Sequence, residues 1–325
     1  MKINAIRIAR QGGVEQMKLE SIELAPPKPG EVRVRHESIG VNYIDTYHRS
    51  GLYKLPMPSG LGVEAAGVVD ELGSSVTHLK RGDRVGYCGG PIGAYAQAAN
   101  VPAARLIKLP DAVSFDAAAA MLLKGLTVQY LFRQTYKLTR GETILFHAAA
   151  GGVGLIACQW ARHLGVTMIG TVSSAEKAKL ATARGCDHII DYTTEDVAAR
   201  VAELTGGKKV PVVYDGVGKD TFIGSLDSLA PRGLLVSFGN ASGAVTGVDL
   251  GILSAKGSLY VTRPTLATYT ATSEMLQTAA AELFDLVAKG AITPDITRHY
   301  ELGQAPEAHR TLQERGTVGS ILLTP

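Results

Sequence analysis

The chain has 325 residues, long enough for two domains, and 46% of them are hydrophobic, enough for two sizeable cores. Its 33 basic and 30 acidic residues leave a formal net charge of +3, without the clustered basic face of a dedicated nucleic-acid binder. No apolar run reaches the length of a membrane span, and three cysteines (Cys88, Cys158, Cys186), far apart and without a C-x-x-C pair, argue against a disulfide framework or a zinc cluster.

The first stretch, Met1 to Glu20, carries scattered charges and no apolar core of a signal peptide, so the expected location is the cytoplasm, a reducing compartment. Residues up to about 110 read as all-β. Glu31 to Arg35 alternates with period two, Gly62 to Gly73 is a strand with glycines at its ends, and Arg81 to Gly86 is a turn entering a strand. Many short strands punctuated by Gly and Pro predict a barrel-like domain. From Asp111 to Tyr136 the pattern changes to a long apolar helix capped by Ser114 and broken near Gly125, read as the joint between two domains.

The most informative stretch follows. Thr143 to Phe146 is apolar and β-prone, His147 to Gly154 is a run of small residues, and Ile156, Trp160 and Leu164 recur at helical spacing. This predicts strand, tight turn, helix, the arrangement that seats a dinucleotide pyrophosphate on N–H groups at a helix N-terminus. In the G-x-G-x-x-G frame Ala149 replaces the first glycine, Gly151 is the second and Gly154 the third. A second strand, Val166 to Val172, closes the βαβ unit. Its tip reads Val172-Ser173-Ser174-Ala175-Glu176-Lys177. The acid that bonds a ribose 2′-OH is missing, and two hydroxyls and a lysine stand ready for a 2′-phosphate, which favours NADPH over NADH. Ser174 also suits a helix cap, and Glu176 falls in that helix's first turn.

Further strands are expected at 188–191, 210–215, 234–238 and 258–262, with helices at 175–184, 195–204 and 221–229 between them. Six strands alternating with helices predict an α/β domain with a doubly wound parallel sheet. A helix at 272–288 follows, and the tail from Gly316 to Leu323 reads as a strand returning to the first domain.

Taken as a set, these motifs resemble the medium-chain dehydrogenase/reductase superfamily and, within it, the zinc-independent, zeta-crystallin-like quinone oxidoreductases. The resemblance covers the whole chain. It rests on Asn42-Tyr43-Ile44-Asp45-Thr46-Tyr47, Gly51-Leu52-Tyr53, Gly60 to Gly67, Leu123-Lys124-Gly125-Leu126-Thr127, Phe146 to Gly154 and Gly239 to Gly243. It implies a GroES-like β-barrel catalytic domain from residues 1–126 and 265–325, and a Rossmann NADPH-binding domain from 127–264. It also implies a homodimer formed through the edge strand near Ser258 to Thr262, where Leu259 and Val261 are apolar. The zinc-binding branch of the superfamily has a Cys where this chain has Asn42. Glu64 alone makes no site and His147 reads as a packed residue, so no metal is expected.

Residue by residue, the resemblance places Asn42, Ile44, Asp45 and Tyr47 by the nicotinamide half of the cofactor, with Thr127 and Tyr130. Ala150, Gly151, Gly152 and Val153 would take the pyrophosphate. Gly170, Ser173, Ser174 and Lys177 would surround the ribose phosphate, with Tyr192 by the adenine and Arg315 near the 2′-phosphate. Phe238, Gly239 and Ser242 would follow the fifth strand.

The implied activity is reduction of a small-molecule quinone by NADPH. A quinone gains a delocalised phenolate on hydride transfer, so a hydrogen-bond donor suffices in place of a Lewis acid. Tyr53, Tyr47, Asn42 and Arg263 are the candidate catalytic donors, the tyrosines first because they also give a proton. Two alternatives stay open: an NADPH-dependent reductase of α,β-unsaturated carbonyls, and a non-catalytic NADPH-binding or RNA-binding protein.

Overall fold

The computed structural model describes residues 1–314 and 318–325. The chain forms two compact units. The first comprises Met1–Leu126, Thr270–Lys289 and Thr293–Pro325, and the second Thr127–Tyr269 and Gly290–Ile292.

The first unit opens with β1 (Lys2–Ile8), β2 (Lys18–Glu23), β3 (Glu31–Val41), α1 (Tyr43–Ser50), β4 (Ser59–Gly60), β5 (Glu64–Leu72), β6 (Arg84–Cys88), β7 (Ala98–Pro102) and β8 (Ile107–Lys108). β1 lies between β2 and β4 in one small sheet. β3 dominates the other: it pairs with β5 along most of its length and with β7 through Glu31 to Arg35. Register shifts mark two bulges in the β3–β5 pair, at Asp70 on β5 and at Glu37 on β3, which strengthen its twist. Ile6 and Ile8 of the small sheet, and Val32, Val34, Ile39, Val69 and Val85 of the large one, share one buried core.

α2 (Phe115–Tyr130) starts where expected, with the Ala117 N–H donating to Ser114 Oγ, but runs unbroken through Gly125. Gly125 is there for packing. A Cβ would lie 2.7 Å from each methyl carbon of the buried Leu283. The irregularity comes later, as a π turn over Leu131–Thr135, where the Tyr214 hydroxyl donates to the Leu131 carbonyl.

In the second unit come β9 (Thr143–Phe146), α3 (Gly152–Leu164), β10 (Thr167–Val172), α4 (Ala175–Ala183), β11 (His188–Asp191), α5 (Val197–Leu204), β12 (Val210–Asp215), α6 (Phe222–Asp227), β13 (Leu229–Ser237), α7 (Gly251–Ala255) and β14 (Tyr260–Thr262). All strand pairs are parallel, in the order β11-β10-β9-β12-β13-β14. This is the expected doubly wound sheet. The central strands are apolar on both faces because helices cover both: Ile144, Leu145, Met168, Ile169, Val212 and Val213 are all buried. The order reverses between β9 and β12, and at such a reversal the carboxyl ends open a crevice for ligands. The edge strand β14 is shorter than expected. Leu259 turns into the core, and Tyr260 and Val261 are the exposed pair.

The chain then forms α8 (Leu266–Tyr269) and returns to the first unit as α9 (Ser273–Ala288), β15 (Ile296–Glu301), α10 (Ala305–Gln313) and β16 (Ser320–Thr324). β16 inserts between β15 and β3, so the tail does return to the first sheet.

Gly67 in β5 is required by the β3 bulge opposite it, since a Cβ there would stand 2.0 Å from the Arg35 carbonyl oxygen. Gly67→Ala is expected to destabilise the protein by about 1–3 kcal/mol through overpacking, read as a lower urea midpoint.

Candidate active site

In the second unit the turn after β9 is built by close backbone approach. Ala148 takes a left-handed conformation (φ 55°), its carbonyl accepts the Gly151 N–H at 2.9 Å, and α3 begins at once. Gly154 packs α3 onto that turn, for a Cβ would meet the Ala148 and Ala149 carbonyl oxygens at 2.4 and 2.5 Å. A Cβ on Gly151 would meet only the Ala148 oxygen, at 3.2 Å. Gly151, Gly152 and Val153 are partly exposed at the N-terminus of α3, whose first N–H groups have no intrahelical acceptor; Ala150 is buried. This cradle fits a pyrophosphate.

Gly170, expected by the ribose phosphate, lies on β10 beside this turn. It faces inward, where a Cβ would stand 2.6 Å from Ala149 Cβ and 2.5 Å from Cys186 Sγ, so it makes room for the alanine that replaces the first glycine. At the tip of β10 three expected residues come together. Lys177 Nζ donates to Ser173 Oγ at 2.9 Å, and Ser174 Oγ caps α4 by accepting the Lys177 N–H. Glu176 sits in the first turn of α4. Tyr192, 44% exposed, follows β11, and its N–H bonds the Val172 carbonyl beside them.

After β13 the chain passes close to the loop after β12. Phe238 donates its N–H to the Asp215 carbonyl and packs on Phe146 at 5.8 Å between centroids. A Cβ on Gly239 would clash with the Gly216 oxygen at 2.2 Å. Ser242 is a fastener in this crossing, not a free hydroxyl: it donates to the Val217 carbonyl and accepts the Asp220 N–H. Arg263, exposed, is tied to this crossing by one guanidinium nitrogen, which donates to the Ser237 carbonyl and hydroxyl and to the Gly239 carbonyl. Tyr130 and Thr127 are buried, the former stacked on Tyr269 at 4.8 Å. Arg315 lies outside the described residues.

In the first unit the stretch from Asn42 to Tyr53 divides into two faces. On one, Tyr43, Tyr47 and Tyr53 form a partly exposed aromatic shelf, with centroids 5.7 Å (Tyr43–Tyr47) and 5.3 Å (Tyr47–Tyr53) apart. Gly51 makes it possible by ending α1 in a left-handed conformation, and Gln11 Nε2 pins the return by donating to the His48 and Tyr53 carbonyls. Ile44 is also partly exposed.

The other face is internal and holds Asn42 and Asp45, both buried. The Asn42 amide donates to Glu64 Oε2 at 2.7 Å. Glu64, fully buried, also accepts the Leu123 N–H and has Lys124 Nζ at 3.8 Å. Burial pushes the Glu64 carboxyl up, against the pull of Lys124. The Asp45 carboxylate accepts the Asn42 N–H at 2.9 Å and the Tyr95 hydroxyl at 2.8 Å. Tyr95 also meets His309, and His309 meets Arg49. Arg49 only donates, so it fixes the His309 tautomer and makes Tyr95 accept from His309 and donate to Asp45. Asp45 Oδ2 takes both the Asn42 and the Tyr95 bonds, and Oδ1 is buried without a partner among the described residues. The residues that sequence reasoning missed here, Lys124, Tyr95, His309 and Arg49, are separated along the chain by tens to hundreds of residues and carry no shared motif.

Among the described residues, no three His, Cys, Asp or Glu side chains are grouped to hold a metal ion. Two family models match the chain: the alcohol dehydrogenase GroES-like domain over residues 28–111 and the zinc-binding dehydrogenase over 152–285. A quinone oxidoreductase of Pseudomonas aeruginosa is 60% identical over 321 residues, 98% of this chain and 99% of that protein. The chain belongs to the zinc-independent quinone oxidoreductases of the medium-chain dehydrogenase/reductase superfamily. The solved Escherichia coli quinone oxidoreductase complexed with NADPH superposes with a TM-score of 0.98 at 53% identity, covering 99% of this chain and 100% of that one. A 2-haloacrylate reductase of Burkholderia is 44% identical over 99% of each chain. The two units therefore carry the GroES-like and Rossmann folds of this family.

Burial raises the Asp45 carboxyl from 3.8 to about 7. Between those values the folded chain holds a proton that the unfolded chain has released, so stability falls as pH rises through that window. Asp45→Asn has no such proton. It is expected to lose less stability than wild type between about pH 4 and about pH 7, read from urea midpoints; equal slopes would remove the assignment.

Proposed function

We infer that this protein is an NADPH-dependent quinone reductase, with the second unit as its cofactor domain and the first as its catalytic domain. The observation that carries the cofactor half is the meeting of Ser173, Ser174 and Lys177 at the tip of β10, beside the open N-terminus of α3. Gly151, Gly152 and Val153 would hold the pyrophosphate on backbone N–H groups. Ser173 and Lys177 would hold the 2′-phosphate by charge-assisted hydrogen bonds, with Tyr192 flanking the adenine.

NADPH, when bound, supplies a hydride. The chain's own part is to orient the acceptor and neutralise the oxyanion that forms on it. Tyr47 and Tyr53, edge to face on the shelf that ends α1, offer hydroxyl donors for that oxygen, and either can give the proton that converts phenolate to phenol and recover it from solvent. Ile44 presents an apolar side chain on the same helix. A quinone asks no more, because its product anion is delocalised. The similarity to a 2-haloacrylate reductase favours one second reading, reduction of an α,β-unsaturated carbonyl on the same shelf.

We further propose a cytoplasmic homodimer. β14 is an edge strand with Tyr260 and Val261 exposed, and an uncovered edge of that kind pairs with its own copy. The three cysteines are free and buried, which suits a reducing compartment.

The deciding assay is NADPH oxidation by the purified protein with 1,4-benzoquinone, a 1,2-quinone and an aliphatic enone in parallel. Turnover with the quinones is expected. Turnover with the enone alone would favour the second reading, and tight NADPH binding without turnover would leave a binding protein. Lys177→Ala is expected to raise the KM for NADPH by about tenfold, the worth of one charge-assisted bond, while NADH turnover stays within about twofold. Val261→Lys is expected to yield monomers by light scattering; a dimer unchanged by it would place the interface elsewhere.

A further inference from the structure

His147 was read from the sequence as a packed residue, and it is buried, but it also sits mid-way along a chain of side chains that crosses the carboxyl edge of the second unit's sheet. The Ala148 N–H donates to Thr171 Oγ1 at 3.1 Å. Thr171 Oγ1 meets His147 Nδ1 at 3.1 Å, His147 Nε2 meets Ser225 Oγ at 3.0 Å, and Ser225 Oγ meets Asp215 Oδ2 at 2.8 Å. Asp215 is itself buried and takes three more donors, the Val217 and Gly218 N–H groups and the Thr221 hydroxyl.

The direction of every bond follows from the two ends. A carboxylate only accepts, so Ser225 gives its proton to Asp215 and accepts from His147 Nε2–H. Nδ1 is then the bare nitrogen and accepts from the Thr171 hydroxyl, which leaves the Thr171 oxygen to accept from Ala148. The chain is complete and one-way, with His147 neutral and in a single tautomer. Its outer end lies at the one residue of the phosphate turn with a costly backbone. Ala148 has a Cβ and a φ of 55°, a conformation that disfavours a side chain by about 1 kcal/mol or more. Thr171 holds that turn twice, since its carbonyl also accepts the Ala149 N–H at 3.0 Å. Two residues further on, just past the end of β10, comes Ser173.

We propose that Thr171, His147, Ser225 and Asp215 are the positioning residues of the phosphate turn, fixing Ala148 so that the N-terminus of α3 stands ready for a dinucleotide pyrophosphate. This rests on the NADPH-binding reading above. All four residues are buried, and their part is to set where the backbone donors stand.

The test separates the pyrophosphate from the 2′-phosphate. Binding of NADPH and of 2′-AMP, which has the 2′-phosphate but no pyrophosphate, is measured by calorimetry for wild type and for Thr171→Val, Thr171→Ser and Ser225→Ala. Thr171→Val is expected to weaken NADPH about tenfold and to leave 2′-AMP within about twofold, with kcat at saturating NADPH little changed and Thr171→Ser restoring affinity. Ser225→Ala is expected to act in the same direction, and it carries the test if Thr171→Val does not fold. NADPH affinity unchanged in these variants overturns the proposal, as does an equal loss of NADPH and 2′-AMP, which would mean general loosening. Wild type that binds 2′-AMP and NADPH with no measurable affinity overturns the cofactor reading itself.

Discussion

The contact on which the second unit depends is the one between Gly154 and the backbone of the turn below it. An added Cβ would lie inside 3 Å of two carbonyl oxygens, so only glycine lets α3 pack down onto the short turn that follows β9. That packing brings the helix N-terminus to the reversal point of the sheet, where the carboxyl ends of β9 and β12 diverge. The same tightness reappears around it. Gly170 yields its space to the methyl group of Ala149, and Gly239 to the Gly216 carbonyl. A binding surface made of backbone has to be assembled by such approaches, because it has no side chains of its own to pack.

Polar side chains then do what apolar ones cannot at a carboxyl edge, where loops leave the sheet and their backbone groups need partners. Asp215 takes four donors from its own loop and from α6, and Arg263 gathers three acceptors at the end of β13. Both residues lie where a ligand is expected, and both are engaged by the protein. Asp215 is buried, where an unsatisfied group costs free energy, so its fastening is specific as well as strong.

Much of this was readable from the sequence where chemistry and spacing are local. The strand-turn-helix at 143–164, the Ser173-Ser174-Lys177 tip and the tail strand all rest on residues within a few positions of one another, and the fold keeps them together. The missed parts are those assembled across the chain. His147, Thr171, Asp215 and Ser225 each look ordinary in their own segment, and only the parallel sheet sets them side by side. Asn42 and Asp45 carry contacts that their motif does not reveal. Their places in a recognised motif suggest contact with the cofactor; a helix cap has two sides, and Glu64, Lys124 and Tyr95 claim the inward one. Gly125 was read as a helix break because glycine disfavours helix, yet a neighbouring leucine in α9 explains it better.

That inward side of α1 bears on how a dehydrogenase fold works with Asn at position 42. The interior around Glu64 keeps charge, but as an ammonium–carboxylate pair braced by an amide, with Asp45 held beside it by a tyrosine. Removing one member would leave another buried and unpaired, which costs more than the pair contributes. The cluster therefore fixes the start of α1, and through α1 the direction in which Tyr43 and Tyr47 face. A quinone needs only a hydrogen-bond donor at a set distance, since its own ring carries the charge it acquires. A fold that holds two tyrosines in place beside a buried ion pair is what the proposed reading asks of this chain, because the same cluster that satisfies Glu64 and Asp45 also sets where the tyrosines stand.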